Sequence, residues 1–280
     1  MHSATLANQK IVSAREYHAE VHGSRLYCMD KSCHVPVIFV PGNEEKTPHF
    51  KTTGKNDSKH VESYGFYKPL SFIETIQKVE EYQEDFLKER GMKENIVRLN
   101  FNKLDPDYEP KTVDRDPKQQ KKEDTSEIKI KAEQDTPNSI TSLSSLVKLM
   151  TSSDPDILSS IIVSIKGKKI PIYSLIINQE EAHEKVWHDE IISNVGYFVF
   201  GEIDKVLRRE KVMYINFKPV NQVLFSLVIF DQYFKYFSYT DDELIGKNVL
   251  AWGHLRKNTY QDKNTTEMAI KSDKYIEFLK

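Results

Sequence analysis

Cysteine is nearly absent: Cys28 and Cys33 are the only two in 280 residues, which excludes the multi-disulfide framework of a small secreted domain. Glycine is sparse too, ten residues in all, and none falls in the spacing of a Walker-type phosphate loop. A nucleophile elbow and a His-Glu-x-x-His metalloprotease helix are also missing. No run approaches the ~18 consecutive apolar residues of a spanning helix, and the opening MHSATLANQK lacks the apolar core of a secretory signal. Neither sign of charge is in excess. With 40 basic against 42 acidic residues and a net charge of -2, any nucleic-acid contact must come from a local patch. These absences lead us to expect a cytoplasmic protein in a reducing compartment, with no membrane partner.

What is present is ordinary globular composition, 39% hydrophobic and 29% charged, over a length suited to two compact domains. Histidine is unevenly spread. Six of the nine, His2, His18, His22, His34, His49 and His60, lie in the first 60 residues beside both cysteines, so borderline and soft metal ligands share one short segment.

Short apolar runs broken by turn residues, at Ile11-Val12, Arg25 to Tyr27 and Val35 to Val40, imply small β hairpins up to about Tyr67. From Phe72 the spacing changes. Phe72, Ile73, Ile76, Val79, Tyr82, Phe86 and Leu87 form one helical stripe, with Gly91 expected as its left-handed cap. A strand is expected from Asn95 to Phe101. Residues 103–138 hold four prolines and many charges with little to bury, which implies a disordered linker. Beyond it, Ile140 to Met150 reads as a short helix, Ile157 to Ile165 with a Lys166-Gly167-Lys168 turn into Ile170 to Tyr173 as a hairpin, and the stretch from Gly196 onward as five strands. Those strands are expected at Tyr197–Leu207, Lys211–Phe217, Val223–Phe230, Asn248–Lys257 and Glu267–Leu279, with a helix over Gln232–Ile245.

Five strands whose one substantial helix lies between the third and fourth follow the element order of the OB-fold. The segments Gly201-Glu202-Ile203, Lys211 to Phe217, Leu227 to Phe230 and Asn248 to Leu255 resemble the OB-type nucleic-acid-binding domain of bacterial replicative polymerase and aminoacyl-tRNA synthetase relatives. That resemblance spans residues 196–280 and implies a small barrel that binds nucleic acid; no polymerase or synthetase motif adjoins it. Alternation directs Val249, Ala251, Gly253 and Leu255 inward and Trp252, His254 and Arg256 outward, with Tyr214 and Asn216 outward on the second strand. Arg208, Arg209 and Lys211 in the first loop and Lys257, Tyr260 and Lys263 in the last complete a surface that suits single strands, DNA favoured, through stacking and phosphate neutralisation. The competing expectation is that Trp252 packs against the preceding helix and hairpin, leaving an adaptor that docks proteins.

At the N-terminus, Cys28 and Cys33 on a knuckle, with His49 and His60 from later segments, supply the four ligands of a structural zinc site. His34 is an alternative to His60. Residues 5–65 resemble the N-terminal zinc-binding region of competence-protein CoiA-like families, in which a cysteine pair, a short strand and a His-Phe motif recur; here four residues separate the cysteines. CoiA-like proteins usually continue into a nuclease-like domain, and Asp154-Pro155-Asp156 offers half of a metal-binding nuclease motif. The strand that follows carries Ser164 where the second carboxylate belongs, so Asp-Pro-Asp reads instead as a helix N-terminus. His183 and His188, five apart in a charged stretch, read as a solvated turn.

These observations define an α+β protein with no catalytic residues: a zinc-binding β module with a helix (1–102), a linker (103–138), a helix and hairpin (139–195) and a five-stranded OB barrel (196–280). The expected role is binding of single-stranded nucleic acid in replication, recombination or uptake. Limited proteolysis read by mass spectrometry is expected to cut within 103–138 before either flanking part; equal resistance there and in the strands after Gly196 would contradict the division.

Overall fold

The computed structural model describes residues 1–43, 46–55, 57–61, 66–67, 70–86, 94–109, 139–165, 167–260 and 263–279. The chain is α+β. Its N-terminal part is built from β1 (Ser3–Leu6), β2 (Ile11–Ser13), α1 (Ala19–His22), β3 (Leu26–Tyr27), β4 (Pro36–Val40) and β5 (His49–Lys51). The strands form one antiparallel sheet in the order β2-β1-β3-β4-β5. Ala4, Leu6, Val12, Leu26, Val37 and Phe50 are buried with Tyr17 and Cys28 in a small core of their own. A sheet this short has little apolar area to bury, and its attachment to the rest of the chain matters correspondingly.

Helix α2 (Phe72–Phe86) makes that attachment. Phe72, Ile76 and Val79 enter the main core, whereas Tyr82 turns to the N-terminal sheet beside Met29. Ile73, placed on the apolar stripe by spacing, is solvent-exposed, and Leu87 and Gly91 lie outside the described residues. Strand β6 (Asn95–Leu99), which sequence order groups with the N-terminal module, pairs in parallel with β7 (Ser139–Ile140) and with β8 (Ile161–Ile165). Between β7 and β8 lie α3 (Leu143–Ser152), which opens on a Ser142–Ser145 capping box, and α4 (Pro155–Ser159), with Asp154 at its N-cap and proline at its first position. The hairpin from β8 to β9 (Lys168–Pro171) turns at Gly167, φ 82°, a left-handed conformation that glycine adopts without strain.

The first residues expected to be linker are ordered. Leu104 is buried and its carbonyl accepts from Ser272 Oγ at 2.9 Å. Asp105 and Asp107 both bind Lys271 Nζ, at 2.8 and 3.0 Å, and Asp107 accepts from Tyr233 Oη at 2.6 Å. Residues 110–138 lie outside the described residues.

The remainder is one curled sheet. After β10 (Ile176–Asn178) and α5 (Gln179–Trp187) come β11 (Tyr197–Arg208), β12 (Val212–Phe217), β13 (Leu224–Phe230), α6 (Asp241–Leu244), β14 (Asn248–Gly253), β15 (Leu255–Tyr260), β16 (Lys263–Ala269) and β17 (Ile276–Phe278). Strands β11, β12 and β13 form an antiparallel meander; β13 pairs in parallel with β16, β16 pairs antiparallel with β15, and β14 returns to the first half of β11. Only His254 separates β14 from β15. Of the five strands expected from sequence, the first three are present, the fourth is bent in two at His254, and the fifth is not one strand: β16 ends at Ala269 and, after a 3₁₀ turn over Asp273–Tyr275, β17 pairs with β14. Where one helix was expected over 232–245 there is a 3₁₀ segment, Asp231–Tyr236, followed by the single turn of α6.

Backbone and side chain approach closely at two glycines of this sheet. A Cβ on Gly253 would stand 2.7 Å from Met268 Cγ, and one on Gly201 would stand 2.5 Å from the Phe217 ring, so a larger residue at either position would force these buried side chains to shift. Met213, Ile215, Phe217, Phe225, Leu227, Ile229 and Met268 are buried. Helix α5 covers this core, with Ala182 and Val186 buried, Gln179 Nε2 donating to Lys218 O at 2.8 Å and His183 Nδ1 2.9 Å from Thr266 Oγ1. The Glu180–His188 stretch is thus a packed helix and not a solvated turn; two small apolar residues suffice because the rest of its inner face is hydrogen-bonded.

Trp252 does point away from the curled sheet's interior, as alternation requires, but the surface it occupies is covered. Its ring centroid is 4.9 Å from Phe101 and 5.8 Å from Tyr275, and a Cβ on Gly196 would stand 2.8 Å from the indole. The indole nitrogen is buried without a partner among the described residues. Trp252→Ala is therefore expected to destabilise the protein by about 3 kcal/mol through the cavity it leaves, measured by urea denaturation; an unchanged midpoint would mean that the ring is not packed as described.

Candidate metal centre and candidate nucleic-acid interface

Cys28 closes β3 and Cys33 ends the turn that follows, and this turn is shaped by Asp30. The Asp30 carbonyl accepts from the amides of Cys33 and His34 at 3.3 and 2.9 Å. Its carboxylate accepts from Ser32 N at 2.8 Å and Ser32 Oγ at 2.6 Å through one oxygen, and from Tyr82 Oη at 2.9 Å and Lys78 Nζ at 2.8 Å through the other. The group is wholly buried yet meets four donors, which is the condition for a buried charge to be tolerated. Burial works against the Lys78 charge, but hydrogen bonds to Asp30 and Glu81 outweigh it and its pKa is raised.

On that frame Cys28, Cys33 and His60 bring their ligand atoms within 4.8 Å of one another, with Cys33 Sγ 3.3 Å from His60 Nδ1. Tetrahedral N and S donors around one zinc-sized ion stand about 3.5–3.8 Å apart, so the three can hold a single metal ion. Burial pushes the Cys28 thiol well above its ordinary range, so ionising it requires a cation in contact. Burial and the N-terminal amine together lower the pKa of His60, against the pull of Asp30, and a neutral imidazole is the ligating form.

The other two histidines considered for this site lie elsewhere. His49 faces away from buried Phe50, its neighbour on β5, and donates through Nδ1 to Thr47 O at 3.0 Å. With His60 it lines a cleft of about 530 Å³ that reaches Asp154 and Pro155. His34 stacks on Tyr27, with centroids 4.7 Å apart and 11° between the planes, and does not join the ligand group. Asp156, considered as a nuclease carboxylate, is buried and accepts from the amides of His2 and Ser3 at 2.7 and 2.8 Å. That role is structural.

The residues proposed from sequence to contact nucleic acid separate into two groups. Several are engaged: Arg208 with Asp241 at 2.8 Å and with Tyr239 O, Arg256 with Glu267 at 2.6 Å, Lys257 with Asp189 at 2.6 Å, and Asn216 as acceptor from Ser226 Oγ at 2.7 Å. Trp252 is packed as described above. Arg209, Lys211, His254 and Lys263 are exposed, and the Tyr260 side chain lies outside the described residues. Tyr214 is half-buried with the Arg209 guanidinium 5.9 Å from its ring centroid.

One residue absent from the sequence-derived set belongs with Tyr214. The register Val212↔Phe230 and Tyr214↔Val228 puts Phe230 on the same outer face, where it is exposed with Arg256 5.6 Å from its ring centroid. Leu207, opposite Tyr214, and Lys205, opposite Asn216, extend that face onto β11. Alternation along Val223–Phe230 does not single it out, because β13 is buried from Phe225 through Ile229, including Ser226 and Val228 in phase with Phe230, and opens to solvent only at its last residue.

Comparison with known proteins finds no family whose profile the chain matches and no curated protein similar to it. The chemistry of the site therefore rests on its geometry. Elemental analysis of purified protein is expected to find about one transition-metal ion per chain, with both thiols unreactive until a chelator removes it. Free titration of both thiols in metal-free, fully folded protein would remove the metal assignment.

Proposed function

We propose that the curled C-terminal sheet is an OB-type barrel that binds single-stranded nucleic acid across the outer face of β12 and β13, and that the Cys28–Cys33–His60 group holds a structural zinc ion. The strand order supports the first part, because a three-strand meander, a parallel third-to-fifth pairing and a bent fourth strand returning to the first are the connections of that barrel. The observation that carries the binding reading is the pair of outward aromatics, Tyr214 and Phe230, on neighbouring strands, each with an arginine over its ring. Aromatics set diagonally on adjacent strands stand about 7–8 Å apart, within reach of successive bases. Exposed Lys205, Arg209 and Lys211 have no carboxylate partner among the described residues and supply phosphate contacts. Two thiolates and one imidazole in a buried cluster favour zinc over magnesium or calcium.

A second reading follows from the ion pairs. Arg208, Arg256 and Lys257 are neutralised by carboxylates, and Leu207 and Phe230 are exposed, a combination that fits a protein-docking face. Fluorescence-anisotropy titrations with single- and double-stranded DNA and RNA at two salt concentrations separate the two. Tyr214→Ala and Phe230→Ala are each expected to weaken single-strand binding by ~1–3 kcal/mol. Arg209→Ala is expected to flatten the slope of log affinity against log salt by about 0.7 for each phosphate it no longer neutralises. Absence of salt-sensitive binding by intact, folded protein would transfer the assignment to the adaptor.

A further inference from the structure

On the face of the N-terminal sheet opposite its small core lies a second cleft, of about 440 Å³, separate from both the metal ligands and the outer face of β12 and β13. Its lining includes Thr5, Gln9, Arg25, Tyr27, Lys31 and His34, and no carboxylate. The volume falls within the range of small-ligand sites. Four observations single it out. Thr5 and Tyr27 are directly paired between β1 and β3, so their side chains share this face, and Thr5 Oγ1 is buried with no hydrogen-bond partner among the described residues. Arg25 is exposed and has no carboxylate partner among the described residues. Finally, His34 is held at φ 40°, a conformation costly to any residue with a side chain, and the result is an imidazole stacked on Tyr27 at 4.7 Å and 11°.

We infer that this cleft binds a nucleotide unit, its phosphate held by Arg25 with Lys31 beside it and its base continuing the Tyr27–His34 stack. A planar fork of donors recognises phosphate oxygens in pairs, and stacking on an aromatic platform holds a base of any identity. The nucleotide is either free or the 5′-phosphorylated end of a strand. The two sources present the same groups to the cleft.

The test uses the full-length, metal-loaded chain. Isothermal titration calorimetry with adenosine 5′-monophosphate reads the free nucleotide. Anisotropy with a short 5′-phosphorylated oligonucleotide against its 5′-hydroxyl counterpart, in a Tyr214→Ala/Phe230→Ala background, reads the strand end without the sheet face. For whichever source binds, Arg25→Ser is expected to weaken binding about tenfold or more, as loss of a charged hydrogen-bonding group does. His34→Gly separates a ligand platform from a mere turn residue: glycine accepts φ 40° without strain, so the melting temperature should hold or rise while affinity falls. Binding of the mononucleotide that Arg25→Ser weakens supports a free-nucleotide site, and a preference for the 5′-phosphate that Arg25→Ser abolishes supports a strand-end site. No binding of either probe, or binding indifferent to both Arg25→Ser and His34→Gly, overturns the inference and leaves the sheet-face reading untouched.

Discussion

The carboxylate of Asp30 joins two parts of the chain that apolar contact alone joins weakly. It sits inside the cysteine turn, accepts from Ser32 on one side and from Tyr82 and Lys78 of α2 on the other, and is wholly buried. Helix α2 in turn places Phe72, Ile76 and Val79 in the main core. Deleting one partner of such a buried pair typically costs ~3–5 kcal/mol, because the remaining charge is stranded. A second buried carboxylate, Asp156, makes a parallel tie by holding the amides of His2 and Ser3 at the start of β1. Directional bonds of this kind define how the small sheet sits on α2 and α4, which unspecific burial would leave free to slide. The metal ligands share the turn that Asp30 shapes, so metal occupancy and the seating of α2 are parts of one local structure.

The curled sheet divides its outer surface by the same logic of neighbours. Both Trp252 and Tyr214 point outward, yet Phe101, Tyr275 and Gly196 close over Trp252, while half-buried Tyr214 and exposed Phe230 each have an arginine beside the ring. The stretch that bears Phe101 is itself tied down, through Leu104 to Ser272 and through Asp105 and Asp107 to Lys271. Those two aspartates drive the Lys271 pKa upward despite partial burial. Covering one part of the outer face and leaving the other open is what distinguishes a packed aromatic from an available one here.

Much of this architecture is legible from local pattern. The three-and-four spacing through Phe72 and Val79 marks α2, Asp154-Pro155 marks the start of α4, and the strand sequence after Gly196 matches the curled sheet in order. What local pattern lacks is any knowledge of partners distant in sequence. Helix α5 escapes it because Ala182 and Val186 make too narrow an apolar stripe, the remainder of the face being hydrogen-bonded. His49 looks like a ligand by proximity to Phe50, but strand alternation turns it from the core where Cys28 lies. Trp252 looks exposed by alternation, but Phe101, arriving from another sheet, covers it together with Tyr275 and Gly196. The Cys28, Cys33 and His60 grouping was accessible from composition, since borderline ligands are concentrated there, whereas Phe230, the exposed last residue of a strand buried from Phe225 through Ile229, was not.

The parallel pairing of Leu99 with Ile140 has a bearing on how the chain tolerates change. Asn100 N donates to Ile140 O at 2.9 Å, so the two anchor points of the intervening stretch are fixed by the sheet itself and not by what connects them. Closing a connecting loop costs free energy that grows only as the logarithm of its length, about 0.6 kcal/mol for each doubling. A change of length between residues 109 and 139 would therefore bear on closure entropy and not on the register of β6 and β7.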